Sequence, residues 1–232
     1  MSTDDRKFDK HRILPLAQEA ESAASLLAHG IDLVRRIGAI EPSPMFACLA
    51  MGAEKLLKLS IGLLSWETTG AWPTQSEMRN RLRHGIGTMH ARTLNELGDR
   101  LSDPSTAGSA RKAISALRQE VIDDPIATFA LMALSDYAQQ GRFYNLDILA
   151  GADPLAPSPS DRWNQLEKDV LTLNPTIAAM IGTDRWIAEG QPLINNQIAD
   201  SLLRWWRLHQ RSWNTGALGR QAQLWSTRLG NP

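Results

Sequence analysis

From Ser43 to Leu64 the chain reads Ser-Pro-Met-Phe-Ala-Cys-Leu-Ala-Met-Gly-Ala-Glu-Lys-Leu-Leu-Lys-Leu-Ser-Ile-Gly-Leu-Leu. Phe46, Leu49, Ala50, Ala53, Leu57, Ser60 and Leu64 return at steps of three and four, the period of a helix that buries one face. Ser43 offers an N-cap, and Pro44 suits the first helical position. Glu54, Lys55 and Lys58 fall on the other face, where Glu54 and Lys58 have the favourable i,i+4 order for a surface ion pair. The rest of the chain agrees with this reading. Alanine and leucine abound, only three valines occur (Val34, Val121, Val170), and no stretch alternates apolar with polar residues. The expected fold class is all-α: an antiparallel helical bundle with a smaller C-terminal helical extension.

Upstream, Leu16, Ala20, Ala23, Leu27, Ile31 and Val34 predict a helix from about Ile13 to Ile37, ended by Gly38 and Pro42. Downstream, Trp66–Pro73 reads as a connection. Thr74-Gln75-Ser76-Glu77 then has capping-box spacing, so a third helix is expected to begin near Gln75 with Met78, Leu82, Ile86, Met89, Thr93 and Leu97 as its stripe. Gly85 and Gly87 weaken that helix by about 1 kcal/mol each, which favours a kink or break just after His84. Ser102–Ser109 reads as a loop, followed by helices at about Ala110–Asp123 and Pro125–Leu149. Three prolines between Gly151 and Ser160 mark a linker. The domain expectation is a bundle over 1–150, a linker over 151–160 and a C-terminal helical region over 161–232, with helices near Asp161–Leu173 and Pro192–Arg211.

Composition narrows the function classes. In 232 residues, 25 Lys and Arg balance 25 Asp and Glu, so a nucleic-acid site has to come from a local basic cluster rather than a global excess. A lone cysteine, Cys48, makes neither an internal disulfide nor a thiolate metal cluster, and its place on an apolar helix face suits a small core residue. The start, MSTDDRKFDKHR, lacks the apolar core of a signal peptide, and no apolar run approaches the roughly 18 residues of a membrane span. These features point to a cytoplasmic protein with no membrane contact. No metal-ligand spacing and no phosphate-binding glycine pattern occurs, so neither metal nor cofactor is expected.

The densest basic stretch is Met78–Arg92, with four arginines, two of the five histidines and no acid. It is either a solvated basic helix face or a site. Within it, Arg79-Asn80-x-x-x-His84 places a polar residue after an arginine and a histidine five positions on. That motif, following the apolar helix Phe46–Leu64 by a short connection, resembles the HEPN superfamily (higher eukaryote and prokaryote nucleotide-binding domains), whose ribonuclease members carry Arg-(Asn/Asp/His)-x3-His. The resemblance covers about Ile13–Leu149 in helix order and Ala47–Leu97 in pattern. It implies a dimeric, metal-independent endoribonuclease that cuts RNA in a groove between two protomers, and often a toxin or defence factor held in check by an antitoxin or other regulatory protein. His84 would move the proton of the ribose 2′-hydroxyl, Arg79 would bind the non-bridging phosphate oxygens, and Asn80 would orient the pair or bind phosphate. Glu54 is a candidate support for Arg79 or His84.

Helix geometry complicates this assignment. On one continuous helix Arg79 and His84 lie about 140° apart. A second protomer, the reach of arginine or a distortion at Gly85 and Gly87 would bring them together. Arg83 and His90, seven residues apart on nearly one face, form an alternative pair.

The last segment has its own pattern. Ser201–Pro232 holds five arginines, no acid and four of the eight tryptophans, with Arg204, Arg207 and Arg211 on one helix face. Those arginines are candidates for RNA or partner binding. The plainer reading buries the tryptophans against the first domain or a second protomer, with arginines at the rim. Arg142-Phe143-Tyr144-Asn145 is another aromatic-basic cluster, read as packing. Two rival functions remain beside the nuclease: a non-catalytic helical binding or adaptor module, and a duplex-DNA regulator, disfavoured because no tight helix-turn-helix stands out.

Overall fold

A computed structural model describes residues 10–36, 42–102, 108–153 and 157–230. The charged start through Asp9, the predicted helix stop at Gly38, most of the Ser102–Ser109 loop and Pro154 of the linker lie outside these residues. Ten α-helices and no strand occur among the described residues, in the order α1 Lys10–Arg36, α2 Ser43–Thr69, α3 Ile86–Ser102, α4 Gly108–Ile122, α5 Pro125–Asp136, α6 Tyr144–Leu149, α7 Pro159–Thr172, α8 Pro175–Ala178, α9 Gln191–Asn214 and α10 Arg220–Trp225. The all-α class read from the sequence is therefore the observed one. Among the described residues no helix is long and apolar enough to cross a membrane.

Two helices organise the rest. α2 is buried along nearly its whole length, from Met45 and Phe46 through Leu56, Leu57 and Ile61 to Leu64, because α1 covers one side and α3, α5, α7 and α10 cover others. Its register against α1 is antiparallel: a Cβ on Gly30 would meet Leu49 at 2.6 Å, and one on Gly52 would meet Leu27 at 2.9 Å. The missing side chains let the two backbones close, and Ala20, Ala23, Ala50 and Ala53 are fully buried in the same seam. The second organiser is α9, which packs on α1, α4, α5 and α7. Its Trp205, Leu208 and Trp213 are fully buried, with Trp213 donating to Ser60 Oγ of α2 at 3.0 Å. One hydrophobic core thus runs through residues on both sides of the proline-rich segment. The tryptophans took the packing role.

Three boundaries differ from the sequence expectation. α2 begins one residue early: Pro42 occupies the cap position, no side chain caps the helix, and Ser43 and Pro44 are already helical. The expected third helix is split. A π-helical turn, Glu77–Arg81, is followed by a non-helical bend before α3 restarts at Ile86. The expected helix over Pro125–Leu149 is also split, by a π-helical turn at Tyr137–Gly141. Tyr137 is pinned there by stacking on Phe46, with ring centroids 5.2 Å apart, while Trp163 of α7 meets Phe46 edge-on at 6.2 Å. The second irregular turn packs on α2, and the two turns frame the candidate site.

Candidate active site

The capping box at Thr74 forms as its spacing predicts. The Glu77 carboxylate accepts from Thr74 N at 2.8 Å, and Glu77 N donates back to Thr74 Oγ1 at 3.2 Å. These bonds, led by the one from the Thr74 backbone, hold the Glu77 carboxyl below the usual range. The chain then widens: Leu82 N bonds Glu77 O at 2.9 Å, five residues back, which closes the π turn. Arg83 follows at φ 42°, the left-handed region that costs a non-glycine residue about 1 kcal/mol. Regular α-helical bonding resumes where Met89 N bonds Gly85 O at 2.9 Å. His84 therefore sits in a bend, and the 140° separation of an ideal helix no longer applies to it and Arg79.

Glu54 gathers the site. Its side chain is 13% exposed and accepts from three groups: Lys58 Nζ at 2.8 Å, His84 Nδ1 at 2.9 Å and an Arg142 guanidinium nitrogen at 3.1 Å. Burial raises its pKa, but the hydrogen bonds from Lys58 and His84 outweigh that and leave it below the ordinary value. It is accordingly ionised near neutral pH and can only accept. His84 Nδ1 must then carry a hydrogen, and Nε2 is left as the nitrogen that can take or give a proton. His84 is 48% exposed, so this nitrogen is reachable from solvent.

His84 lines a polar cleft of about 310 Å³ together with Arg81, Arg83, Thr88, Gln139 and Gln140. The cleft lies between the two π turns, and each turn delivers a side chain to Glu54: His84 after the first, Arg142 after the second. Gln139 is steadied by a 3.0 Å bond to Ser135 Oγ. The combination offers one proton-transfer group and two arginines in a concave surface with amide donors, a chemistry suited to a phosphodiester.

The other candidates are placed as follows. Arg79 is exposed on the first π turn and pairs with no carboxylate among the described residues. Asn80 donates to Ser76 Oγ at 3.3 Å, away from Glu54. Glu54 holds His84, not Arg79. His90 and Arg83 do not come together: Arg83 faces the cleft, whereas His90 accepts from Trp205 Nε1 at 3.1 Å and is turned toward α9. Burial lowers the pKa of His90 to about 4. Arg204 is tied to Asp124 at 2.7 Å, which removes it from a free basic face, while Arg207 and Arg211 remain exposed on α9. Arg142, Gln139 and Gln140 were missed as site residues. The basic-aromatic cluster at Arg142 was visible, but the break that turns Arg142 toward Glu54 had no proline or paired glycines to announce it.

Among the described residues, no group of three or more His, Cys, Asp or Glu side chains is placed to hold a metal ion. No protein-family model, curated protein or solved structure matches the chain.

Proposed function

We propose that the chain is a HEPN-like endoribonuclease that works without a metal, as a homodimer, in the cytoplasm. The observation that carries this reading is the Glu54–His84 pair: an imidazole fixed through Nδ1 by a partly buried carboxylate, with Nε2 open to a cleft bearing Arg81 and Arg83. In the reaction, Nε2 of His84 takes the proton of a ribose 2′-hydroxyl as that oxygen bonds to the neighbouring phosphorus. The bond from phosphorus to the 5′-oxygen breaks, and that oxygen leaves as a hydroxyl after gaining a proton. The products are a 2′,3′-cyclic phosphate and a 5′-hydroxyl end. Negative charge gathers on the non-bridging oxygens in the transition state, where guanidinium donors stabilise it. Arg79, exposed and without a carboxylate partner among the described residues, fills that role, with Asn80 beside it and Arg81 and Arg83 steering the backbone. A second protomer supplies the opposing pair. A toxin or defence role under a regulatory protein belongs to the same reading, with the exposed Arg207 and Arg211 as the surface for RNA or that partner.

The test uses single-stranded RNA in the presence of a chelator. Arg79→Ala and His84→Ala should each lower cleavage by about 10²- to 10⁴-fold while helicity and assembly mass stay unchanged. Cleavage that persists in both variants would overturn this site, and no cleavage by the wild-type chain would leave a non-catalytic binding or adaptor module.

A further inference from the structure

A second cavity, larger than the cleft at His84, occurs among the described residues. It lies on the other flank of the first π turn, between α1, α2 and the connection that precedes the turn, with a volume of about 480 Å³. The buried Leu16 and Leu59 and the exposed Pro15 line it, and Trp72 and Met78 form an aromatic and thioether wall. The position of Trp72 is set by Gly62, since a Cβ there would meet the indole six-membered ring at 2.3 Å. The glycine lets the ring lie against α2 and border the cavity.

The mouth is cationic. Arg12, Lys55 and Lys58 line it together with Glu19. Glu19 pairs with Lys55, and Glu54 pairs with Lys58 at 2.8 Å. Arg12 has no carboxylate among the described residues, only the Trp66 ring 5.5 Å from its guanidinium carbon. An apolar slot with an aromatic wall and, at its lip, an arginine that pairs with no carboxylate among the described residues suits a flat ring attached to an anionic backbone. Two links join it to the cleft: Met78 of its wall is the residue before Arg79, and Lys58 of its rim holds the carboxylate that holds His84.

We infer that this cavity is a base subsite: it takes the nucleobase of one nucleotide flanking the scissile phosphate, stacked against Trp72, while the backbone passes Arg79 toward His84. The inference rests on the nuclease reading for the identity of the polymer, and on the cavity itself for the base. Stacking on an indole is worth enough to change rates by about 5- to 150-fold.

Two measurements test it. In the first, an oligoribonucleotide is compared with copies that lack the base at each position flanking the cut. The wild-type chain should lose about 5- to 150-fold in kcat/KM when the base on one side is absent, and Met78→Trp, which fills the cavity, should cut intact and abasic copies at equal rates. In the second, methyl-13C methionine spectra of His84→Ala are followed with adenosine 5′-monophosphate and with ribose 5-phosphate. The Met78 resonance, assigned by its loss in Met78→Leu, should move with the nucleotide and not with the sugar phosphate. Equal cleavage of intact and abasic RNA by the wild-type chain, or a Met78 resonance that ignores the nucleotide or answers both probes alike, overturns the base subsite. No cleavage at all, together with a base-dependent shift, supports the subsite and overturns the nuclease.

Discussion

His84 and His90 stand six residues apart and meet opposite surroundings. His84 leaves a bend with its ring half in water and Nδ1 on the ionised Glu54. His90 lies on a regular turn of α3 and accepts from Trp205, whose ring also meets His209 edge-on at 4.9 Å. Burial pushes His209 down to about 3, and its Nε2 finds no hydrogen-bond partner among the described residues. The same imidazole chemistry is therefore set up for two tasks. A carboxylate at one nitrogen of His84 leaves its other nitrogen open to the cleft, whereas a part-buried slot against Trp205 disfavours the charged form of His90 and turns that ring to packing.

The sharpest way to break this contrast is to exchange each histidine for glutamine, which keeps hydrogen-bonding atoms but neither gains nor loses a proton at accessible pH. His84→Gln should lower RNA cleavage by at least about 10²-fold and leave the melting temperature nearly unchanged. His90→Gln should do the reverse, altering stability while cleavage per folded molecule holds. A loss of cleavage in both, or in His90→Gln alone, would sink the division of roles.

Next in size is a pH effect on stability. In the unfolded chain His90 takes a proton near 6.5, but in the folded protein only near 4. Between those values the unfolded state binds more protons, so stability is full above about pH 6.5 and drains away as pH falls. His90 alone should cost about 3 kcal/mol by pH 4, and His209 adds to the loss in the same direction. Urea unfolding at pH 7 and pH 4 reads this directly. His90→Gln should flatten the dependence; an unchanged slope would show that the ring is not buried as described.

The smallest expected effect sharpens the other side. Glu54→Gln keeps the shape of the side chain but replaces the carboxylate that fixes the Nδ1 hydrogen and stabilises the charged ring. Cleavage should fall by about 10- to 100-fold, less than for loss of His84 itself. An undiminished rate would reduce Glu54 to a structural anchor for Lys58 and Arg142.

Local chemistry was readable in the sequence and distant contacts were not. The stripes of α1 and α2 and the start at Gln75 follow from spacing within a few residues, and each is present; the break expected just after His84 falls instead at Leu82–Gly85, with Gly87 inside α3. The π turn at Tyr137–Gly141 was missed because Ala133–Gln140 reads as uninterrupted helix. What bends the chain there is tertiary: Phe46 stacks on Tyr137 from 91 positions away in the sequence. For the site, the order Arg79, Asn80, His84 and the position of Glu54 one helix earlier were legible. Arg142 reaches Glu54 across 88 positions, and Trp205 reaches His90 across 115. Nothing local distinguishes that arginine from its neighbours, or shows that a tryptophan will claim the second histidine.

One side chain joins the start of α5 to α9 in a way that bears on how the molecule comes apart. Asp124 Oδ1 accepts from the backbone nitrogens of Ile126 and Ala127 at 3.0 and 3.1 Å, starting α5, while Oδ2 takes Arg204 of α9. A shared carboxylate of this kind makes the onset of one rod and the docking of another a single cooperative step. Fraying in the tryptophan-rich tail is thereby transmitted to α5, and through it to the turn that presents Arg142, so the cleft at His84 would loosen from a distance well before the core melts.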